Sequence, residues 1–234
     1  MKSHGKNIKI ALFLFFLLFL PLAVFYASSE KLQELRSRAA STIGEGGCSE
    51  DQILYQNYNI IVRGISSCPK KRIILDALFT LYSQPGFRQK IGNAPLKISN
   101  IQSNSENMAY TSNKSLVKLY RFENRGTQEE WKFVITHEMF HLLTQRNKSV
   151  LKNYDLNRLS RSDSKCFERT SGAGSGLYLK TYAKKPANAK AESFAESGAL
   201  YIFDKSPLRP GLIKSFRTEC PRSYQWFREN IFTN

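Results

Sequence analysis

The segment WKFVITHEMFHLLTQ (131–145) constrains this chain more than any other stretch. Its apolar residues recur every three or four positions, which predicts an amphipathic helix. Thr127 begins this helix, and Glu130, three positions later, completes a capping box. His137 and His141 both lie well past the first turn. Because residues four apart on a helix are separated by about 40° around its axis and ~6 Å along it, the two imidazoles point the same way.

The order His-Glu-x-x-His predicts a metal centre. His137 and His141 can together bind one Zn²⁺ through ring nitrogens at about 2.0–2.1 Å. Glu138 follows the first histidine, where it can take a proton from a metal-activated water without occupying a coordination position. The alternative is a pair of buried, hydrogen-bonded histidines beside an exposed glutamate. We predict a zinc centre with Glu138 as the general base.

A catalytic zinc needs a third protein ligand, and the only other histidine, His4, lies close to the N-terminus. The helix expected over AKAESFAESGALYIF (189–203) offers Glu192 and Glu196, four residues apart on one face. Burying two carboxylates is costly unless a cation neutralises them. We therefore predict that Glu192 binds the metal and that Glu196 accepts a hydrogen bond from a ligand histidine. The alternative is that both glutamates are solvated on the outer face.

The N-terminus predicts export. Three lysines precede an apolar run of 18 residues, Ile10–Ala27. Residues 1–27 are therefore expected to be a signal peptide or an N-terminal membrane anchor, and the missing small-x-small cleavage site leaves both open. Positive charge on the N-terminal flank places the remainder outside the cytoplasm. Residues 28–47 are predicted to be a short polar helix and a glycine-rich linker, and residues 48–234 one catalytic domain.

The four cysteines agree with export. An even number without a Cys-x-x-Cys pair, in an exported chain, predicts two disulfides. Of the three pairings that four cysteines allow, we favour Cys48–Cys68 and Cys166–Cys220, because each pair ties one half of the chain.

The formal net charge is +16. A surface this basic favours acidic partners, such as anionic lipid, acidic cell-wall polymers or a substrate with acidic flanks. The alternative is a solvated basic surface without a dedicated partner. A tight cluster of lysine and arginine interleaved with aromatic residues is missing, so specific nucleic-acid binding is not expected. The chain is expected to act as a monomer.

The remaining pattern predicts an α+β domain. A helix is expected over 69–86, a long irregular segment over 147–187, and a last helix over 221–231. Three short runs between polar turns predict a small, mostly antiparallel sheet. The strands are predicted over 95–101, 107–112 and 115–122. Residues 107–112 are expected to be the edge to which a peptide substrate adds as an extra strand.

Three stretches of the chain carry a resemblance to a known family: HEMFH, the later AESFAE and the terminal CPRSYQWFRENI. Together they resemble the catalytic domain of anthrax lethal factor and its relatives, which include secreted proline–proline endopeptidases. The resemblance covers about 126–234. It implies a zincin-like domain in which Glu192 matches the zinc-binding glutamate and Glu196 the second glutamate of the same helix. It also implies that Tyr182 faces the metal and stabilises the reaction's oxyanion.

Two positions depart from that family. Phe140 stands where its members usually have a glycine before the second histidine. Tyr182 is further from Glu192 than usual, which leaves Tyr178 as an alternative. The resemblance and the motif together predict an exported zinc-dependent metalloendopeptidase that acts on peptide or protein substrates, acidic or proline-rich in sequence. The alternative is an inactive zincin-like or basic surface-binding protein without hydrolase activity.

Overall fold

The computed structural model describes residues 47–103, 105, 107–169, 177–179 and 189–233. The chain divides into two compact units, Met1–Ile53 and Leu54–Asn234. The sheet and the candidate site lie within the second unit. The expected leader, 1–27, lies outside the described residues, as does 28–46 of the expected linker. Among the described residues, every helix is too short or too polar to cross a membrane.

The described chain is an α+β structure, as predicted. The strands are β1 (Ile60–Arg63), β2 (Leu96–Ile101), β3 (Ala109–Asn113), β4 (Leu116–Tyr120), β5 (Phe167–Arg169) and β6 (Leu177–Leu179). The helices up to the metal motif are α1 (Ser49–Tyr58), α2 (Cys68–Tyr82), α3 (Phe87–Ile91) and α4 (Gln128–Arg146). The later helices are α5 (Lys148–Asn153), α6 (Leu156–Ser162), α7 (Ala189–Phe203), α8 (Phe216–Glu219) and α9 (Pro221–Asn230), with a 3₁₀ turn at Ser164–Cys166.

The main sheet has the strand order β1-β2-β4-β3. Strand β2 pairs in parallel with both β1 and β4, and only β3 is antiparallel to its neighbour, β4. The prediction of a mostly antiparallel sheet was therefore wrong. Helix α2 follows β1 and precedes β2, and so supplies the crossover that a parallel pair requires. The short run IIVR that forms β1 was not predicted.

Helix α4 is the central element of the fold. Its capping box is present, because the Thr127 side chain accepts from the backbone N–H of Glu130 while the Glu130 carboxylate accepts from that of Thr127. The helix contacts α2, α7 and β3. In the part of the chain that the structure describes, β3 lies at one end of the sheet order, as expected for residues 107–112, and α4 packs against this last strand.

The expectation of a long irregular segment over 147–187 was wrong where the structure describes it. Helices α5 and α6, the 3₁₀ turn and the antiparallel pair β5–β6 lie there. Asp155 begins α6 by accepting a hydrogen bond from the Arg158 backbone N–H at 3.0 Å. Val150 of α5 and Leu159 of α6 are buried, so each short helix is held against the core by apolar side chains.

The C-terminal helix α9 is fastened to the 3₁₀ turn. A disulfide joins Cys166 to Cys220, the residue just before α9. The buried Asp163 carboxylate accepts hydrogen bonds from the Ser223 backbone N–H and hydroxyl, both at 2.7 Å, and from the Arg222 N–H at 3.3 Å. A carboxylate at a helix N-terminus is favourable because it satisfies free N–H groups and faces the positive end of the helix dipole.

Cys48 and Cys68 are disulfide-bonded as well, and none of the described cysteines is a free thiol. Two disulfides indicate an oxidising, extracytoplasmic environment, because thiols in the cytosol are kept reduced.

Candidate metal centre

Helices α4 and α7 bring three potential metal ligands together. His137 and His141 project from α4, and Glu192 lies in the first turn of α7. One ligand atom from each of the three lies within 4.8 Å of the others. This group could hold a metal ion, as the sequence predicted.

The spacing of the three atoms fits a tetrahedral ion. The two Nε2 atoms of His137 and His141 lie 3.1 Å apart, and Glu192 Oε2 lies 3.4 Å from each of them. Two ligands at about 2.0–2.1 Å from a tetrahedral Zn²⁺ are separated by about 3.3–3.4 Å. The three atoms are therefore already at ligand spacing.

Glu192 Oε2 provides a second test of the fit. This oxygen is buried, and its polar neighbours among the described residues are the two Nε2 atoms at 3.4 Å, which do not make a well-formed hydrogen bond to it. A buried carboxylate oxygen without a donor is costly, and a cation at the centre of the triangle would remove that cost. The residues present therefore suit a metal with nitrogen and oxygen ligands.

Glu196 orients the first histidine. Its buried carboxylate lies 3.1 Å from His137 Nδ1, on the ring edge opposite the triangle. When Nδ1–H donates to this carboxylate, a neutral His137 ring carries its lone pair on Nε2, which is the nitrogen that faces Glu192. Glu196 therefore lies where the sequence predicted, within hydrogen-bond distance of a histidine of the candidate site.

Charges within the centre shift two pKa values in opposite directions. Burial lowers the pKa of His137, but the nearby carboxylates of Glu192 and Glu196 outweigh it and raise that pKa to about 10. Burial raises the pKa of Glu192, but the two imidazoles outweigh it and hold that pKa well below its usual range. A metal that binds the cluster must therefore displace a proton from His137.

Glu138 is buried on the sheet side of α4. Its Oε2 lies 2.7 Å from the Thr111 hydroxyl of strand β3, which also lies 2.9 Å from the Glu138 backbone carbonyl. Thr111 is itself buried. The predicted general base thus follows His137 directly on α4 and contacts β3, the last strand in the sheet order.

Phe140 explains how α4 and α7 approach each other. Its ring is fully buried against Phe87, Phe194 and Phe227, with centroid distances of 5.4–5.8 Å. A Cβ placed on Gly198 of α7 would lie 2.5–2.6 Å from atoms of the Phe140 ring. Gly198 on the facing helix therefore makes room for the aromatic ring of Phe140.

The tyrosine expected to stabilise the oxyanion, Tyr182, lies outside the described residues. The alternative, Tyr178, lies in β6, where its backbone pairs with Glu168.

Sequence reasoning missed Thr111 and Gly198. The alternation of strand NMAYTS places Thr111 on the same face as Ala109, which could have marked it as inward-facing. A glycine within an otherwise helical pattern, as at Gly198, indicates that a neighbouring element packs close to the helix backbone.

Comparison of the chain with protein-family models, with curated proteins and with solved structures finds no match. The resemblance to the lethal factor family thus rests on the motif residues of α4, α7 and α9, and it stays a prediction.

Proposed function

We propose that this chain is an exported zinc-dependent endopeptidase. The observation that carries the proposal is the position of Glu138, which follows one of three converging potential metal ligands on α4 and contacts the last strand of the sheet. A hydrolase of this kind needs a metal, a base and a place for an extended peptide. The candidate ligands, Glu138 and strand β3 support such a site, because all of them lie in the second unit of the chain and Glu138 contacts β3.

His137, His141 and Glu192 would hold the zinc ion, with Glu196 orienting the His137 ring. The donor set of two imidazoles and one carboxylate is typical of catalytic zinc sites, which keep one position open. A zinc ion bound there would act as a Lewis acid and lower the pKa of water from about 15.7 towards about 7.

Glu138 would act as the general base and then as the general acid. Its carboxylate takes a proton from the attacking water as the water oxygen bonds to the peptide carbonyl carbon. When the carbon–nitrogen bond breaks, Glu138 gives that proton to the leaving amine. Tyr182 or Tyr178 is proposed to donate a hydrogen bond to the oxyanion formed in between.

Strand β3 supports a peptide as the substrate. An extended chain can add to a free strand edge through main-chain hydrogen bonds. Thr111 of β3 contacts the proposed base directly, so a peptide on this edge would lie next to Glu138. The net charge of +16 favours substrates with acidic residues. The family resemblance suggests proline-rich sequences as a second class of substrate.

The test is peptide-library cleavage by the zinc-loaded chain, with Glu138→Gln and Glu129→Gln compared with the wild type. Glu129 lies exposed in the first turn of the same helix, so its variant controls for the lost charge. We expect cleavage by the wild type and by Glu129→Gln, and none by Glu138→Gln, which should still bind zinc. Near-normal turnover by Glu138→Gln would refute the mechanism. Bound zinc without turnover by the wild type would favour an inactive binding protein.

A further inference from the structure

The contact between Thr111 and Glu138 suggests a role that the metal motif does not include. We propose that Thr111 is the positioning residue of the general base: its hydroxyl holds the Glu138 carboxylate in the pose from which it deprotonates water. This inference rests on the proposed endopeptidase function. Its basis is a buried contact between the edge strand and the metal-binding helix.

The Thr111 hydroxyl has one hydrogen and two acceptors within reach. Oγ1 lies 2.7 Å from Glu138 Oε2 and 2.9 Å from the Glu138 backbone carbonyl. A hydroxyl donates only one hydrogen bond, and a bond to a carboxylate is roughly twice as strong as one to a neutral carbonyl. The hydrogen therefore points at Oε2, which leaves Oε1 of Glu138 for the water that is to be deprotonated.

Thr111 is itself fixed against α4 at two points. Besides its hydroxyl contact, its backbone carbonyl accepts a hydrogen bond from the Gln145 side chain at 3.4 Å. Both Glu138 and Gln145 belong to α4, so this residue joins the strand to the helix through side chain and backbone. A residue anchored in this way can restrict the rotamers of a neighbouring carboxylate.

The strand is irregular just after this residue. Thr111 pairs with Val117 of β4 while Asn113 pairs with Leu116, so Ser112 is one extra residue on β3. Such bulges change the direction of side chains and are common beside active sites. The irregularity directly follows Thr111, whose hydroxyl contacts Glu138, so the bulge affects the direction in which this side chain points.

The test compares Thr111→Val, which keeps the shape and loses the hydroxyl, with Thr111→Ser, which keeps the hydroxyl. We expect kcat of the zinc-loaded Thr111→Val chain to fall by about ten- to a hundredfold, the effect of losing one hydrogen bond to a charged group. KM and bound zinc should stay within about twofold, because a positioning residue acts on the chemical step. Thr111→Ser should recover most of the lost kcat.

The matched control is Thr80→Val on α2, whose hydroxyl donates to the Asp76 backbone carbonyl at 2.8 Å. It should leave kcat unchanged. If Thr111→Val keeps kcat within about twofold of an active wild type, the positioning role is refuted while the proposed function stands. If the zinc-loaded wild type hydrolyses no peptide, the proposed function fails and the positioning role fails with it.

A second measurement needs no turnover. In the metal-free chain, proton NMR should show a slowly exchanging, downfield Thr111 hydroxyl proton, because a buried hydroxyl bonded to a carboxylate is protected from water. That signal should move upfield in Glu138→Gln. A hydroxyl proton that exchanges rapidly, or one that does not respond to Glu138→Gln, would overturn the inference.

Discussion

Replacing Gly198 with alanine tests whether the contact between α4 and α7 assembles the metal centre. Within a helix, alanine is intrinsically favoured over glycine by about 1 kcal/mol, so an unobstructed substitution would stabilise the protein. Here the added Cβ would lie 2.5–2.6 Å from Phe140 ring atoms, whereas carbon atoms pack at roughly 3.5–4.0 Å. The added Cβ of residue 198 and the Phe140 ring must therefore move apart by about 1 Å.

Phe140 cannot easily supply that movement. Its ring is fully buried and contacts Phe87, Phe194 and Phe227. Helix α7 is therefore expected to shift, and overpacking of this kind costs about 1–3 kcal/mol. Because Glu192 lies on α7, the same shift moves its Oε2 away from the two histidines by more than the ~0.2 Å that a metal site tolerates. Zinc affinity should fall roughly tenfold or more.

The assay is urea unfolding of the metal-free chain together with zinc titration, for the wild type, Gly198→Ala and Gly198→Ala combined with Phe140→Leu. The smaller leucine should relieve the clash and restore part of the zinc affinity. If Gly198→Ala alone is about 1 kcal/mol more stable than the wild type and binds zinc equally well, the reasoning about this contact is refuted.

Three further predictions follow from individual contacts. Glu196→Gln should weaken zinc binding by about 10–100-fold in a competition titration, because a carboxylate that orients a ligand histidine is lost, and unchanged affinity would contradict this. In the metal-free chain the pKa of His137 is raised from 6.5 to about 10, so its proton stabilises the fold fully below about pH 6.5 and this stabilisation is lost as the pH rises towards 10. Thermal unfolding with a chelator should show that loss, zinc-loaded protein should show less of it, and identical pH profiles would argue against the charge coupling. Asp163→Asn should lower the free energy of unfolding by about 1–3 kcal/mol in urea, because the carboxylate that caps α9 is lost, and an unchanged midpoint would refute that role.

The elements that the sequence predicted well are those with local signals. The capping box at Thr127 begins α4 where predicted, and the helix over 189–203 has the bounds that its pattern indicates. The juxtaposition of the two histidines in the candidate site was also predictable, because their spacing on α4 is fixed by helix geometry. His137 and His141 share a face of α4 for that reason.

The features that sequence reasoning missed depend on tertiary contacts. Strand β1 has only four residues, and its partner β2 follows after two helices, α2 and α3, so no local signal indicated a parallel pair. Three consecutive short strands suggested hairpins, whereas β4 lies between β2 and β3. The contact of Thr111 with Glu138 joins residues 27 positions apart, which pattern alone does not bring together.

The most direct measurement is the metal content of the purified full-length chain, by elemental analysis, for the wild type and Glu192→Ala. Our account predicts about one zinc per wild-type chain, because the three potential ligand atoms lie 3.1–3.4 Å apart, close to the spacing in a tetrahedral zinc site, and loss of that zinc in Glu192→Ala. A wild type that binds no zinc even after reconstitution, or a Glu192→Ala variant that retains it in full, would contradict the assignment of His137, His141 and Glu192 as a zinc site.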